Sequence, residues 1–254
     1  MKRQFLGTVG TVTNSDMTAK MEHKNYLIET LLLDFSNEKI QLLIKAQKWL
    51  ELDTVERVKS IYNYVRDDIK FGYNVGDDIP ASQILEDNYG QCNTKSTLLM
   101  ALLRATGIPC RIHGFTIDKA LQKGAITGIW YKFSPKNIIH SWVEANVNNI
   151  WYNLEGVILD KQYLVKLQVA NNECKTTFCG FGVCTDNFQN PTIDWNLNNT
   201  YIQDKGINQD FGLFDSPDDF YKTHTQKLNF IKRFMFKYIV RHLMNKNVIK
   251  IRKR

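Results

Sequence analysis

One cysteine stands where nucleophilic chemistry is favoured. Cys92 follows a turn residue, Gly90, and precedes apolar residues at helical spacing that end before Gly107. This pattern predicts that Cys92 lies in the first turn of a buried helix, where unpaired backbone N–H groups and the helix dipole favour a thiolate. Because the thiolate is the nucleophilic form, the position favours covalent catalysis. The alternative is that Cys92 serves as a small buried hydrophobic side chain.

Polar residues that suit a base and its partner follow on two predicted strands. Residues 138–145 alternate in polarity, which predicts a strand with His140 on one face. After a turn, residues 150–155 predict a returning hairpin strand with Asn153 and Glu155 on one face. A nucleophile, a base and a residue that orients the base are the parts of a catalytic triad.

These motifs resemble the transglutaminase-like superfamily, which comprises papain-like cysteine enzymes permuted relative to papain. Residues 89–92 match the nucleophile motif of animal transglutaminases, and 101–111 resemble the helix-to-strand passage of microbial members. Residues 140–144 resemble the histidine strand of the superfamily, and 151–155 resemble the strand of its third residue. The resemblance covers about residues 54–160.

The resemblance implies roles for five residues. Cys92 corresponds to the nucleophile and His140 to the base. The superfamily usually places an aspartate where this chain has Glu155, so Glu155 is the predicted third residue and Asn153 the fallback. The alternative to a catalytic role is that Glu155 or Asn153 only caps the hairpin. Tyr73 is interpreted as a candidate oxyanion-hole donor beside the N–H of Cys92, with a packed tyrosine as the alternative.

Helices and strands are predicted around these residues. Helical periodicity and start signals occur before the nucleophile and again late in the chain, at residues 38–50, 54–69, 81–86 and 161–170. Alternation predicts strands at 110–117 and 126–133. Residues 187–207, rich in asparagine, are predicted to form a loop with a short strand that roofs the cleft.

The C-terminal segment is basic. Residues 222–254 contain eleven lysines and arginines and no acidic residue, whereas the rest has 22 basic and 26 acidic residues. This distribution is not that of a uniformly basic nucleic-acid binder. A helix is predicted from Pro217 to about Met244, with an apolar face that packs on the core and a charged tail at 246–254. Binding to a membrane surface is the less favoured alternative.

Composition and cysteine usage bound the remaining possibilities. The chain of 254 residues is 43% hydrophobic, which suits a globular protein. Five cysteines without an initial secretory segment predict reduced thiols and a cytoplasmic location. Cys174, Cys179 and Cys184 lack the close pair typical of zinc sites, so no metal is expected. Phosphate-binding and dinucleotide-binding motifs are also missing from the sequence, and no cofactor is predicted.

The predicted fold class is α+β with a papain-like, transglutaminase-like core. A helical N-terminal half presents the nucleophile helix to an antiparallel sheet, and a long C-terminal helix closes the chain. The predicted parts are a helical extension (1–53), a catalytic core (54–215) and a basic helix packed on that core (216–254), which form one compact unit.

The predicted reaction is acyl transfer on an amide or peptide bond through a thioester. Hydrolysis by a peptidase or amidase is favoured, because the short core resembles microbial relatives of that kind. Protein-glutamine amine transfer, peptide:N-glycanase-like deglycosylation and a non-catalytic scaffold remain alternatives. The expected partner is a peptide, a protein or another amide substrate, and no nucleic acid.

Overall fold

A computed structural model describes residues 25–253 of the chain. Its helices are α1 (Glu38–Ala46), α2 (Thr54–Asp67), α3 (Ala81–Asp87), α4 (Cys92–Ala105), α5 (Gly128–Phe133), α6 (Lys161–Ala170), α7 (Pro217–Thr223), α8 (Phe230–Met235) and α9 (Arg241–Arg252). A π-helical turn, Phe236–Val240, joins α8 to α9. Part of the predicted extension, residues 1–24, lies outside the described residues, as does residue 254.

The strands form one antiparallel sheet and two small pairs. The strands are β1 (Lys70–Phe71), β2 (Tyr89–Gly90), β3 (Cys110–Asp118), β4 (Asn137–Val147), β5 (Ile150–Asn153), β6 (Phe178–Gly180), β7 (Val183–Thr185) and β8 (Ile207–Phe214). The sheet has the order β5-β4-β3-β8, while β1 pairs with β2 in parallel and β6 with β7 as a hairpin. The mixed fold with an antiparallel sheet and a C-terminal helix confirms the predicted fold class.

Helix α4 is the centre of the core. It begins where Gln91 and Thr94 form a capping box, and the chain leaves it through Gly107 in the left-handed region, at φ 81°. Every residue from Cys92 to Arg104 is buried. The helix packs against β4 on one side and against α2 and α3 on others. Burial of each large apolar side chain contributes about 1.5–3 kcal/mol to the free energy of unfolding.

The strand predicted at 126–133 is wrong, because that segment forms α5. Ile129 and Phe133 are exposed there, so the apolar residues do not form the buried face of a strand. The sheet edge beside β3 is occupied instead by β8, whose side chains are mostly exposed or half-buried. A strand of that kind has little of the alternation by which strands are predicted.

The C-terminal helix differs from the prediction in its extent. The single helix expected from Pro217 to Met244 is interrupted after α7, where His224 adopts extended backbone angles. The helix resumes at Phe230 and continues to Arg252. None of the helices in the described part is long and apolar enough to cross a membrane.

The buried face of this helix also differs from the prediction. Ile231 and Leu243 belong to the apolar face that was expected to pack on the core, but they are 69% and 42% exposed. Three later residues are buried instead: Met244, Val248 and Ile251. The segment predicted to be a free charged tail is therefore the part that docks on the core.

An ion pair strengthens this docking. The Arg252 guanidinium lies 2.6 Å from Asp160 Oδ2 and donates to the backbone carbonyl of Phe71 at 2.9 Å. Asp160 is almost fully buried, and although burial raises the pKa of its carboxyl, Arg252 holds that pKa below its usual value overall.

Candidate active site

Cys92 occupies the first position of α4, as predicted, and is 9% exposed. Burial raises the pKa of its thiol strongly, and the nearby Asp77 raises that pKa further. Backbone N–H groups of Asn93 and Ser141 act in the opposite direction, but their effect is smaller. The expected lowering of the Cys92 pKa by the helix start is therefore wrong, because desolvation outweighs the favourable N–H groups and the thiol form prevails.

His140 and Glu155 form a fully buried pair. His140 Nε2 lies 3.0 Å from Glu155 Oε1, and neither side chain is exposed to solvent. Because a carboxylate oxygen accepts the hydrogen bond, Nε2 carries the proton. The other ring nitrogen, Nδ1, is buried without a hydrogen-bond partner among the described residues. It is left free to exchange a proton with a neighbouring group.

Backbone N–H groups hold the second oxygen of Glu155. Ile202 and Gln203 donate to Oε2 at 2.8 and 2.9 Å. Both residues belong to the segment 187–207 that was predicted to roof the cleft, although their contact with Glu155 was not predicted. Because these donors are backbone N–H groups, which every residue except proline has, the sequence contains no pattern that would predict this contact.

Glu155 reaches His140 because the chain turns after β5. The hairpin strand ends at Asn153, and Leu154 has a ψ of 45° instead of the extended value. Glu155 then begins a short 3₁₀ turn. This turn breaks the alternation that had placed Asn153 and Glu155 on one face of a strand.

Asn153, the fallback third residue, has other partners. Its side-chain amide donates to the Tyr201 hydroxyl at 2.5 Å, and its backbone carbonyl accepts from Thr200. Glu144, on strand β4, lies opposite Asn153 in the sheet register. The structure therefore brings His140 together with Glu155 and not with Asn153.

The hydroxyl of Tyr73, the candidate oxyanion donor, is bonded elsewhere. It donates to Gln122 Oε1 at 2.7 Å, and the side chain is buried. Tyr221 was not singled out from the sequence, yet its hydroxyl is buried and lies near the side chain of Ser141. Burial, followed by the charges of Asp77 and Cys92, raises the pKa of Tyr221 well above its ordinary value.

Gln91 connects the start of α4 to the preceding loop. Its Oε1 accepts from the backbone N–H of Asn74 at 2.8 Å, and its Nε2 donates to Asp77 at 3.0 Å. Thr94 also donates to the Asn74 side chain at 2.7 Å. These contacts fix residues 74–77 beside Cys92.

His113, on β3, lies between two carboxylates. Its two ring nitrogens lie 3.0 Å from Glu144 Oε1 and 2.9 Å from Asp210 Oδ1. Burial lowers the pKa of His113, but the two carboxylates reverse this effect and raise it overall. Both ring nitrogens are therefore satisfied by structural ion pairs.

A second buried group, Lys95, lies on α4 one turn after Cys92. Its ammonium donates to the carbonyls of Arg66 and Ile158, each at 3.0 Å, and the side chain is fully buried. Burial lowers the pKa of Lys95 from 10.5 to about 7, although nearby carboxylates such as Asp160 raise it.

We expect this lysine to give stability a characteristic pH dependence. At a pH between about 7, the pKa of Lys95 in the folded protein, and 10.5, its ordinary value, Lys95 is protonated in the unfolded chain and neutral in the folded chain. The free energy of unfolding therefore rises with pH across this range. From pH 7 to 9 the free energy of unfolding should rise by about 2–3 kcal/mol more in the wild type than in Lys95→Met. Denaturant unfolding across this range measures the difference, and the exposed Lys45→Met is the control. Equal pH slopes in the wild type and Lys95→Met would contradict the expectation.

Residues 44–156 match the model of the Transglutaminase-like superfamily, which confirms the resemblance seen in the motifs. Among solved structures, the chain is similar to one from Cytophaga hutchinsonii that is described as a candidate cysteine protease, at 13% identity and a TM-score of 0.45. That match covers 78% of this chain and 48% of the other. Similarity to red sea bream transglutaminase has 17% identity and a TM-score of 0.28, and covers 55% and 26% of the two chains. The chain thus spans about half or less of these proteins, and no curated protein matches it significantly.

Proposed function

Because residues 44–156 match the model of the transglutaminase-like superfamily, we propose that this protein is a cysteine hydrolase that cleaves an amide or peptide bond through a thioester. The observation that carries the proposal is the fully buried pair of His140 and Glu155, in which His140 lies on β4 next to Ser141, whose backbone N–H contacts Cys92. A buried histidine with one nitrogen held by a carboxylate and the other free has the arrangement of a triad base.

In the proposed reaction, the Cys92 sulfur attacks the carbonyl carbon while its proton passes to His140 Nδ1. Since burial favours the neutral thiol, this transfer accompanies the attack and no preformed thiolate is required. The imidazolium then protonates the leaving amine, and the acyl group remains on sulfur as a thioester. Water, deprotonated by His140, then attacks the thioester. The carboxylic acid is released, and the Cys92 sulfur takes the proton back from His140 to restore the thiol.

Glu155 has two parts in this scheme. Its Oε1 holds the proton on His140 Nε2, which keeps Nδ1 free as the acceptor. Its charge also stabilises the imidazolium that forms during attack. The N–H groups of Ile202 and Gln203 orient the carboxylate for both purposes.

Labelling with peptidyl amide electrophiles should test the nucleophile. We expect the reduced wild-type protein to be modified at Cys92 and the rate of modification to fall about 100-fold or more in His140→Ala, which loses the base. Peptide mapping by mass spectrometry identifies the site. The exposed Cys179 has a lowered pKa and would compete for the electrophile, so Cys179→Ser is added to both the wild-type and the His140→Ala proteins.

Cys110→Ser is the matched control, because the Cys110 thiol is buried and donates to the Met100 carbonyl. Modification that continues at an unchanged rate in His140→Ala, or that maps to a cysteine other than Cys92, would contradict the proposal. Incubation with fluorogenic peptidyl amides, with and without a primary amine, then distinguishes hydrolysis from amine transfer by the product formed.

A further inference from the structure

Two cysteines outside the site face each other across the β6–β7 hairpin. Cys179 on β6 pairs directly with Cys184 on β7, and their sulfur atoms are 2.6 Å apart. The third cysteine of this segment, Cys174, points to the Thr177 carbonyl instead. No group of three or more potential ligands in the described part of the chain is arranged for a metal ion.

The hairpin geometry suits a covalent bond between this pair. Phe181 and Gly182 form a two-residue turn, with φ values of 55° and 83°, as in the type I′ turns that close hairpins. Gly180 and Val183 flank this turn, so the next pair, Cys179 and Cys184, falls at a non-hydrogen-bonded position. Cα atoms of such pairs are about 4.5 Å apart, within the range that a disulfide bridges.

Exposure distinguishes the two thiols. Cys179 is exposed, whereas Cys184 is buried and donates a hydrogen bond to the Cys179 sulfur. This hydrogen bond lowers the pKa of Cys179, which makes it the more readily attacking sulfur. An oxidant from solvent therefore reacts first with Cys179, and the adjacent Cys184 sulfur can then form the disulfide bond.

We propose that Cys179 and Cys184 are a reversible disulfide site that a low-molecular-weight disulfide oxidises. The Cys179 thiolate attacks one sulfur of that disulfide, forms a mixed disulfide and releases one thiolate. Cys184 then loses its proton to water and attacks the Cys179 sulfur, which forms the protein disulfide and releases the second thiolate. Two cysteine thiols are oxidised, and one small disulfide is reduced to two thiols.

The site is connected to Glu155 by the backbone. The N–H of Cys184 donates to the carbonyl of Ile202 at 2.8 Å, and the N–H of Ile202 donates to Glu155 Oε2. Gln203, the other donor to Glu155, also donates through its side chain to the carbonyl of Gly182 in the hairpin turn. A disulfide that stiffens the hairpin therefore also stiffens the loop that holds Glu155. This coupling to the active site rests on the proposed function.

The test uses the full-length protein in buffers of oxidised and reduced glutathione. Non-reducing peptide mapping should find the Cys179–Cys184 cross-link in the wild type and in the matched control Cys174→Ser, and its loss in Cys179→Ser. The closed loop of six residues should raise the melting temperature of the oxidised wild type by about 5 °C. The labelling rate of Cys92 by a peptidyl amide electrophile should be about 2- to 30-fold higher in the oxidised form.

A cross-link from Cys179 to Cys174, or Cys179 that stays glutathionylated without resolution, would overturn the disulfide site. A correct cross-link with equal, measurable Cys92 labelling in both forms would overturn the coupling and leave the proposed function standing. Labelling of Cys92 in neither form would count against the proposed function, while the cross-link result would still decide the disulfide site.

Discussion

Replacing Glu155 by glutamine should reduce turnover of a peptidyl amide substrate by about 10³- to 10⁴-fold. The carbonyl oxygen of the new amide would accept from the N–H groups of Ile202 and Gln203, so its NH₂ group would face His140 Nε2. Nε2 would then have to accept, and the ring proton would move to Nδ1. In that tautomer His140 cannot take the proton of Cys92.

Steady-state hydrolysis of a fluorogenic peptidyl amide measures this loss, and melting curves check that the fold is retained. Asn153→Ala is the matched control, because Asn153 is bonded to Tyr201 and not to His140. We expect it to change turnover little. A larger loss of turnover in Asn153→Ala than in Glu155→Gln would assign the orienting role to Asn153. Small effects in both variants would show that neither Glu155 nor Asn153 controls the His140 tautomer.

Deleting residues 245–254 should unfold or aggregate the protein. The deletion removes the buried side chains of Val248 and Ile251, each worth about 1.5–3 kcal/mol of burial free energy. It also leaves the buried carboxylate of Asp160 without Arg252, a loss of about 3–5 kcal/mol. These losses are comparable with the roughly 5–15 kcal/mol by which a domain is stable.

Thermal unfolding followed by circular dichroism, with size-exclusion chromatography, measures the effect. Deletion of residues 253–254 alone is the control and should leave the melting temperature nearly unchanged, since Lys253 is exposed and all of the contacts above remain. A truncated protein of 244 residues that is monomeric and melts cooperatively at the wild-type temperature would show that the docking contributes no stability.

The nucleophile helix and the central strands could be predicted from the sequence because their signals are local. A turn glycine, apolar residues at helical spacing and an end before Gly107 indicate one buried helix without reference to the rest of the chain. Alternation on β3 and β4 reflects the two faces of a central sheet, and it placed His140 on a strand correctly.

The third member of the site depended on contacts that local patterns do not record. Alternation put Asn153 and Glu155 on one face, so only the resemblance ranked Glu155 first and Asn153 second. The choice follows from the turn at Leu154 and from two backbone donors, Ile202 and Gln203, that lie far away in the chain. The pKa of Cys92 is a similar case, since burial by the whole fold outweighs the helix start.

The C-terminal helix shows most clearly the difference between what the local sequence determines and what the tertiary structure decides. Its sequence by itself determined that a helix forms, because start signals and periodicity depend on neighbours within a few residues. Which turns dock was decided by the tertiary structure, through the fit of Val248 and Ile251 to the core and the position of Asp160 opposite Arg252. Periodicity shows which side chains share a face of a helix, but burial requires a complementary surface, and that surface exists only after the rest of the chain has folded.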